Sequence, residues 1–479
     1  MEPNISSQSI SSTVLPRAHN AVLYLTPLTQ NLDLASSEGQ QWRVWRSRFS
    51  SGFSSKNITA MLPSILEEVA IFRDILLAKA GENNTWGPVF PLEALTTNLT
   101  FDVIGRATLG IRLHEQTREP GPLRRALLDQ LTHCLFDYNI LTLGRILSPI
   151  RQWKMARNTR IMRKFLLPHV VSRLESPRSA LNDRATIVDF AVEEYNEEAT
   201  PQEENKPKLS DEEFIETVIA QLKLFLFAGH DTTATSICWV LHCLAKDPAA
   251  ADLVRAEHDA VLGAGTHETM ERLQASPHLL NQLPYTLACI KEALRLWPSV
   301  GPIRDGSSSF SFAVPGASVP FPTEGFMIWD GIRAAMRWEH LWVRPLEFIP
   351  ERWLASPGDP LYPKKNAWHP FGLGFRNCIG QELALVEIKA VLTLVMRDLD
   401  IDCSWEEWDA LRCAGSQNKR SKREKLIRFD SINKGPKYAV DGHRCYQVGL
   451  GTPHTKAGMP VHVKRRSSPI RHVGSQASN

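Results

Sequence analysis

A glycine-framed cysteine is the feature that most constrains this chain. The segment Phe371–Gly380 reads FGLGFRNCIG, with three glycines around Cys378. Glycine allows positive φ and lets a backbone approach a flat ligand closely. The apolar residues of Gln381–Asp398 recur at helical spacing, which places Cys378 near a helix N-terminus, where free N–H groups favour a thiolate. An unpaired cysteine is more often a core residue, but the glycines and Arg376 favour a metal ligand.

This decapeptide resembles the heme-binding signature of the cytochrome P450 family, F-x-x-G-x-R-x-C-x-G. Phe371, Gly374, Arg376, Cys378 and Gly380 match every fixed position. The resemblance implies a mainly α fold with a small β region. It also implies that Cys378 is the axial thiolate of a heme b iron, a ligand type that favours O–O cleavage.

Composition excludes several other classes of protein. The 479 residues are enough for one large enzymatic fold. A formal net charge of +3 argues against a nucleic-acid-binding protein, so no nucleic-acid partner is expected. The eight cysteines contain no C-x-x-C pair, which indicates neither a zinc site nor a disulfide framework. A reducing compartment is the expectation.

A long central helix is predicted from Asp211 to about Ala245. Ser210 and Glu213 form a capping box at its start, and at ~1.5 Å per residue it would be roughly 50 Å long. Its second half is apolar on nearly every side, which predicts burial at the centre of the molecule. It contains AGHDTT, in which a helix-interior glycine and a buried aspartate are costly for packing alone. The alternative is a kink with threonines bonded to the preceding turn.

The AGHDTT segment resembles the family's A/G-G-x-D/E-T-T/S element. The resemblance implies that Gly229 opens a groove for dioxygen, and that Asp231 with Thr232 relays protons during oxygen activation. We expect the substrate pocket along 225–233, 300–304 and 451–453, where the residues are mostly small or apolar. Its predicted lining residues are Phe225, Ala228, Gly229, Val300, Gly301 and Thr452.

Further arginines are expected at the cofactor. Trp42 and Arg46 lie four apart in Glu38–Phe53 and share a helix face, which alone indicates packing under a snorkelling arginine. They match the family's W-x-x-x-R helix, which contacts the heme propionates. Arg304 matches another position that meets a propionate; an exposed strand arginine is the alternative. The resemblance thus implies a set of cofactor-binding residues comprising Trp42, Arg46, Arg304, Phe371, Arg376 and Cys378.

Two further motifs are weak evidence separately, and their order and spacing before Cys378 make them stronger. Glu292 and Arg295 lie three apart in KEALRLWP, and FIPERW supplies Arg352. An i,i+3 pair is usually a surface pair worth roughly a few tenths of a kcal/mol. They match the family's E-x-x-R and P-E-R-W elements. The resemblance implies a buried triad of Glu292, Arg295 and Arg352 that fixes the thiolate loop.

The resemblance covers about Glu38 to Arg465, so 38–465 is the expected heme-thiolate monooxygenase domain. Residues 1–37 are expected to be a remnant of the N-terminal and substrate-loop region, and 466–479 a disordered tail. Family members carry a longer portion, with a membrane anchor, before the W-x-x-x-R helix, so the fold is expected to be N-terminally shortened. The family implies the cytosolic face of the endoplasmic reticulum membrane. With no apolar span or signal peptide in the sequence, a soluble or peripheral protein is expected.

The predicted reaction is insertion of one atom of O2 into a small apolar organic substrate. The family implies electrons from NADPH, delivered by NADPH–cytochrome P450 reductase. Leu99–Gly110 resembles fungal members that serve secondary metabolism, which favours a polyketide or terpenoid substrate. Three alternatives stay open: a fatty-acid or alkane hydroxylase, an isomerase or dehydratase that needs neither O2 nor NADPH, and a shortened, inactive chain. The charged segment 404–437, which contains the basic 415–428 run, is interpreted as a solvated insertion; a nuclear signal or a reductase-docking surface is the alternative.

Overall fold

Helices form most of this chain. In a computed structural model, the structure describes residues 8, 15–134, 144, 147–175, 185–197, 210–263, 265–417, 439–440, 442–449 and 452–466. The α-helices there are α1 (His19–Thr29), α2 (Gly39–Ser50), α3 (Ser55–Lys79), α4 (Leu92–Leu109), α5 (Pro122–Leu131), α6 (Pro149–Glu175), α7 (Ile187–Glu197), α8 (Asp211–Lys246), α9 (Pro248–Leu262), α10 (Thr266–Ala275), α11 (Pro284–Leu296), α12 (Ile332–Ala335), α13 (Gln381–Val395) and α14 (Trp405–Gln417). The prediction of a mainly α fold is confirmed.

Short strands form small antiparallel sheets at the edges of the helical body. They are β1 (Phe90–Pro91), β2 (Ile303–Asp305), β3 (Ser311–Phe312), β4 (Phe321–Pro322), β5 (Met327–Trp329), β6 (Leu399–Cys403), β7 (Gln447–Val448), β8 (His454–Thr455) and β9 (Pro460–Arg465). Strands β1, β9 and β6 form a three-stranded sheet, and β2–β5, β3–β4 and β7–β8 pair separately. The predicted small β region is therefore present, and four of its strands, β2 to β5, lie between residues 302 and 331.

Near the end of the chain a short strand pair is followed by a strand of another sheet. Strands β7 and β8 pair antiparallel, with Gln447 opposite Thr455. The backbone then turns through Ala457 and Met459, both at φ 53°. After this turn β9 joins β1 and β6 instead, so the final segment ties two sheets together.

Helix α8 is the central element, as predicted. The Ser210 hydroxyl accepts the Glu213 N–H at 3.3 Å, and the Glu213 carboxylate accepts the Ser210 N–H at 2.9 Å, which completes the capping box. The helix continues for 36 residues, buried before and after AGHDTT. It packs mainly on α4 and also on α6, α11, α13 and β6. Side chains of α8 can therefore reach a site at the centre of the molecule.

Aromatic contacts fix α2 and the chain after it against α8. Trp45 of α2 stacks on Phe214, with ring centroids 5.6 Å apart. Phe49 and Phe53 each meet Phe225 edge-on, at 5.0 and 5.2 Å. Helix α13 packs on α3 and α8 and carries the cysteine loop at its N-terminal end. The loop thus lies at the N-terminal end of α13 and is held against α2.

Some predicted regions lie partly outside the described residues. The basic run NKRSKREK, the glycine at 451 and the tail from 467 onward are among these. Within 404–437, predicted as a solvated insertion, the chain first forms α14, and the Arg444 guanidinium bonds the Asp409 carboxylate at 2.5 Å. In the portion of the chain that is described, each helix is too short or too polar to span a lipid bilayer.

Candidate active site

The cysteine loop turns sharply enough to present its sulfur outward. Gly372 and Gly374 take φ 74° and 70°, a region that residues with a Cβ rarely adopt. The Cys378 N–H donates to the Phe371 carbonyl at 2.8 Å, which closes the turn. Cys378 is exposed, although α13 and its neighbours pack behind it. The loop geometry therefore offers a sulfur ligand to a group lying in front of it.

The Cys378 thiol has opposing influences on its pKa. Although the thiol is accessible from one side, the protein atoms packed around it desolvate it and raise its pKa, while the Gly380 N–H at the start of α13 and the Arg46 charge lower it. The predicted helix-end donor is present, but burial is the larger effect and favours the protonated thiol. A coordinated metal cation deprotonates such a thiol outright.

Three of the predicted cofactor-binding residues meet beside this loop. Arg46 donates to the carbonyl and side-chain oxygens of Asn377 at 3.0 and 2.9 Å. The Arg376 guanidinium lies 3.9 Å from the centroid of the Trp42 ring, and Trp42 meets Phe375 edge-on at 5.5 Å. Trp42 and Arg46, which share one face of α2, thus both contact the cysteine loop.

Two arginines next to this group, one buried and one partly exposed, keep buried nitrogens unpaired. Arg304 is 4% exposed, and its Nε and Nη1 have no hydrogen-bond partner among the described residues; the same holds for Nε of Arg17. The two residues form a backbone bridge between their segments. Burial, followed by the charges of Arg304 and Arg376, lowers the pKa of Arg17 to about 9. Clustered cations with orphaned donors fit an anionic ligand such as a pair of carboxylates.

Arg17 was not predicted. Its neighbours in the sequence, LPRAH, contain no spacing or motif that separates it from a surface arginine. It reaches the site because the Pro16 carbonyl accepts the Asp305 N–H at 3.1 Å, which aligns this segment with β2. Only that tertiary pairing places Arg17 beside Arg304.

Helix α8 is accessible on the face that carries the predicted proton relay. Ala228 is exposed and Asp231 and Thr232 are partly exposed, although the helix is buried on either side of them. The Thr232 hydroxyl donates to the Ala228 carbonyl at 2.8 Å, the back-bonding that the sequence left as an alternative. A Cβ on Gly229 would lie 2.9 Å from Cδ1 of Ile104, so close packing against α4 also requires this glycine.

Asp231 is linked to a histidine that the sequence analysis missed. Nε2 of His454 lies 3.7 Å from Oδ1 of Asp231, and Nδ1 of His454 lies 2.5 Å from Oε1 of Glu93. Glu93 also accepts the Thr455 N–H at 2.8 Å. His454 thereby bridges carboxylates on α4 and α8. Its only sequence signal is its place one residue beyond the predicted pocket turn.

The bridge makes His454 basic. Burial lowers the pKa of His454, but the hydrogen bond to Glu93 and the charges of Asp231 and Glu93 together raise it to about 9. Because this pKa lies above the ordinary value of 6.5, protonated His454 stabilises the folded state. The stabilisation is complete below pH 6.5 and is lost as the pH rises through about 9. Because 35% of the side chain is exposed, we expect a contribution of only about 1 kcal/mol.

Denaturation at pH 6.5 and pH 9 tests this assignment. The free energy of unfolding should fall between these values by about 1 kcal/mol more in the wild type than in His454→Gln. His267→Gln, which removes a 92% exposed histidine from a surface pair with Glu271, should leave the fall unchanged. Equal pH dependence in wild type and His454→Gln would contradict the assignment.

The predicted triad is assembled and fully buried. Glu292 accepts from Nε and Nη2 of Arg295 at 2.9 and 2.8 Å, and from Nε of Arg352 at 3.0 Å. It also accepts from the Ile349 N–H and from Nε1 of Trp353, both at 3.1 Å. The remaining arginine donors reach backbone carbonyls of 336–347. One carboxylate thus joins α11 to the chain that precedes the cysteine loop.

The predicted pocket residues come from three segments that contact one another. Ser236 of α8 lies 3.3 Å from Ser299, hydroxyl to hydroxyl, next to the exposed Val300. Gln447 of β7 donates to the Pro298 carbonyl at 2.9 Å, and β8 follows the turn that contains Thr452. Gly301 packs too closely for a side chain, since a Cβ there would lie 2.7 Å from the Asp330 carbonyl oxygen. Phe225 of α8 is buried, at 4% exposure, against the rings of Phe49 and Phe53.

Comparisons with known proteins agree with this architecture. The family model described as Cytochrome P450 matches residues 11–411. The chain is 34% identical to Cytochrome P450 monooxygenase polC of Polytolypa hystricis, over 99% of this chain and 80% of that one. It is 28% identical to Cytochrome P450 monooxygenase acrF of Aspergillus aculeatus, over 96% of this chain and 90% of that one. The crystal structure of a cytochrome P450, CYP102L1, superposes with a TM-score of 0.71 at 19% identity, over 97% and 88% of the two chains.

The fold is that of a solved cytochrome P450 structure, shared over nearly all of the chain. This chain belongs to the cytochrome P450 family and is a monooxygenase of that family. The family's cofactor is a heme whose iron is bound by a thiolate.

Proposed function

We propose that this monooxygenase binds heme b through Cys378 and inserts one atom of O2 into a small apolar organic molecule. The observation that supports this most is the exposed Cys378 sulfur on a glycine turn whose Arg376 lies near Arg17 and Arg304, two arginines with unpaired nitrogens. A sulfur donor and a cationic cluster are the chemistry that a thiolate-bound iron and two propionates require. The residues present therefore fit the cofactor.

In this proposal each residue has a defined task. Cys378 would supply the sulfur ligand to the heme iron, and Arg304, Arg376 and the unpredicted Arg17 would hold the propionates together with Trp42. Arg46 holds the loop through Asn377. Phe371 closes the turn through its carbonyl. When bound, the heme supplies activation of dioxygen at its iron.

Removing the buried Arg304 charge should weaken heme binding. Arg304→Gln deletes a charge-assisted donor worth about 1.5–3 kcal/mol, so we expect roughly a 10–100-fold higher dissociation constant. Heme titration of the apoprotein, followed by absorbance, measures it. Arg43→Gln on the exposed side of α2 is the control and should bind heme as the wild type does. Equal affinity in Arg304→Gln and Arg43→Gln would argue against a role for Arg304.

Protons reach the site through the chain's own residues. We assign Asp231 as the carboxylate that passes protons inward and Thr232 as the hydroxyl beside it. His454 is 35% exposed and exchanges protons with solvent, and its Nε2 lies 3.7 Å from Oδ1 of Asp231. A small rotation or one water molecule closes that gap. Thr232, bonded to the Ala228 carbonyl at 2.8 Å, is held on the open face of α8.

The pathway assignment rests on similarity. Two fungal cytochrome P450 monooxygenases match this chain over nearly its whole length. We therefore infer a role in fungal secondary metabolism, with a polyketide or terpenoid substrate held along 225–233, 300–304 and the turn before β8. We assign NADPH–cytochrome P450 reductase as the electron donor and the cytosolic face of the endoplasmic reticulum membrane as the location.

Turnover with isotopically labelled dioxygen tests the function. The heme-loaded protein is combined with a fungal reductase, NADPH, ¹⁸O2 and a panel of polyketides and terpenoids preselected by spectral titration. A product that gains one ¹⁸O atom, with NADPH consumed, is expected. Conversion that continues without O2 and NADPH would instead establish an isomerase or dehydratase and overturn the proposal.

A further inference from the structure

Two thiols and an imidazole meet at the end of β6, apart from the candidate active site. Cys403 is the last residue of β6, and Cys445 lies two residues before β7. Cys445 is close enough to Cys403 for each thiol to shift the pKa of the other, and the adjacent residues are in contact, with the Arg444 guanidinium 5.3 Å from the centroid of the Trp405 ring. Nδ1 of His242, on α8, lies 3.2 Å from Sγ of Cys403. Arg444, the residue before Cys445, donates to the Asp409 carboxylate at 2.5 Å, which anchors this part of the chain to α14.

One cysteine of the pair is accessible to solvent, and the other is buried beside it. Cys403 is partly exposed, whereas Cys445 is 2% exposed. A nearby imidazole and the Lys246 ammonium, which bonds Asp402 at 3.1 Å, favour a negative charge on Cys403. The neighbouring Cys445 thiol, and then His242 and Lys246 against the effect of burial, lower the pKa of Cys403 well below its ordinary value. The same contact raises the pKa of Cys445, which therefore keeps its proton.

The buried cysteines elsewhere in the chain have the opposite character. Burial raises the pKa of Cys134 to about 12, and it also raises the pKa of Cys238, Cys243 and Cys289. Buried, protonated thiols are inert core residues. Cys403 is thus set apart by its lowered pKa and partial exposure, and Cys445 by its place beside Cys403.

We propose that Cys403 and Cys445 are a reversible oxidation site, which hydrogen peroxide converts to a disulfide. The Cys403 thiolate attacks one peroxide oxygen, the O–O bond breaks, and the leaving hydroxide takes up a proton to form water. This step leaves a sulfenic acid on Cys403. The Cys445 sulfur then attacks the Cys403 sulfur, the S–O bond breaks, and a second water leaves with the Cys445 proton. The two thiols lose two electrons, peroxide gains them, and a thiol such as glutathione reverses the reaction.

The disulfide would act on the segment that borders the predicted pocket. Cys445 precedes the β7–β8 hairpin, which carries His454 and the turn with Thr452. A bond to β6 fixes the base of that hairpin to the sheet and, through His242, to α8. Oxidation should therefore restrict hairpin movement without contact with the cysteine loop.

Peptide mapping of the full heme-loaded protein tests the proposal. The protein is treated with hydrogen peroxide, its free thiols are blocked with N-ethylmaleimide, and it is digested and analysed by mass spectrometry. A peptide pair joined through Cys403 and Cys445, lower by two hydrogen atoms than the separate peptides and lost after dithiothreitol, is expected. Recovery of both as blocked free thiols, at peroxide doses that oxidise the exposed Cys413, would overturn it.

Variants separate the roles of the three residues. In Cys445→Ser, Cys403 should stop at the sulfenic acid, which dimedone traps. His242→Gln should slow maleimide labelling of Cys403 about tenfold, because a smaller fraction is thiolate. Cys413→Ser should form the joined peptide pair as the wild type does. Unchanged labelling of Cys403 in His242→Gln would contradict its activation by the imidazole.

Discussion

Glu292→Gln is expected to lower the free energy of unfolding by about 3–5 kcal/mol. The glutamate, Arg295 and Arg352 all have fully buried side chains, at 0% exposure. Removing the one carboxylate leaves two guanidinium charges without their counter-charge in a low-dielectric interior. Ile349 N–H and Trp353 Nε1 lose an ionic acceptor in the same step. Because this cluster joins α11 to the chain before the cysteine loop, the same variant should also lose heme.

An exposed pair of the same residue types and spacing supplies the control. Arg344 and Glu347 lie 3.1 Å apart with side chains 55% and 57% exposed, and Glu347→Gln should cost less than about 1 kcal/mol. Urea denaturation of the wild type and both variants measures the difference. Similar losses in the two variants would show that burial of the triad does not determine its contribution.

Asp231→Asn is expected to lower kcat at least about 100-fold, the usual range for loss of a positioned acid–base group. Substrate affinity should change little, since the amide has nearly the same size. NADPH consumption should continue, with more of the reducing power appearing as hydrogen peroxide than as product. The kinetic solvent isotope effect should rise, because proton delivery then becomes slower than the other steps.

Two variants identify the source of the Asp231 effect. His454→Gln removes the neighbour 3.7 Å away and should lower kcat less than Asp231→Asn, with a changed pH profile. Asp74→Asn, at an aspartate whose side chain is 69% exposed, should leave kcat unaltered. If Asp231→Asn kept the wild-type kcat and coupling, the carboxylate would have no part in proton delivery.

The motifs predicted those parts of the site whose interacting residues occur at fixed spacings in the sequence. The spacing of Trp42 and Arg46, the order of Glu292, Arg295 and Arg352, and the glycines around Cys378 each correspond to a contact in the structure. In each case local geometry largely decides which way the side chain points. The same reasoning predicted α8 and its capping box, since helical periodicity is a local property.

Other parts depend on pairings between distant segments. Glu93 and His454 are 361 residues apart and meet only because β8 packs over α4. Arg17 reaches Arg304 through a backbone bridge that no pattern indicates. The pKa of Cys378 follows from burial as well as from the predicted helix end, and burial depends on the whole fold. These features become visible only when the side-chain contacts are known.

The most direct test is the carbon monoxide difference spectrum of the dithionite-reduced, purified protein beside Cys378→Ala. A thiolate-bound heme gives a strongly red-shifted Soret band, and the band should be present in the wild type and lost in the variant. The far-ultraviolet circular dichroism of both proteins confirms that each is folded. A folded wild-type protein without that band, or a band that persists in Cys378→Ala, would contradict the assignment of Cys378 as the iron ligand.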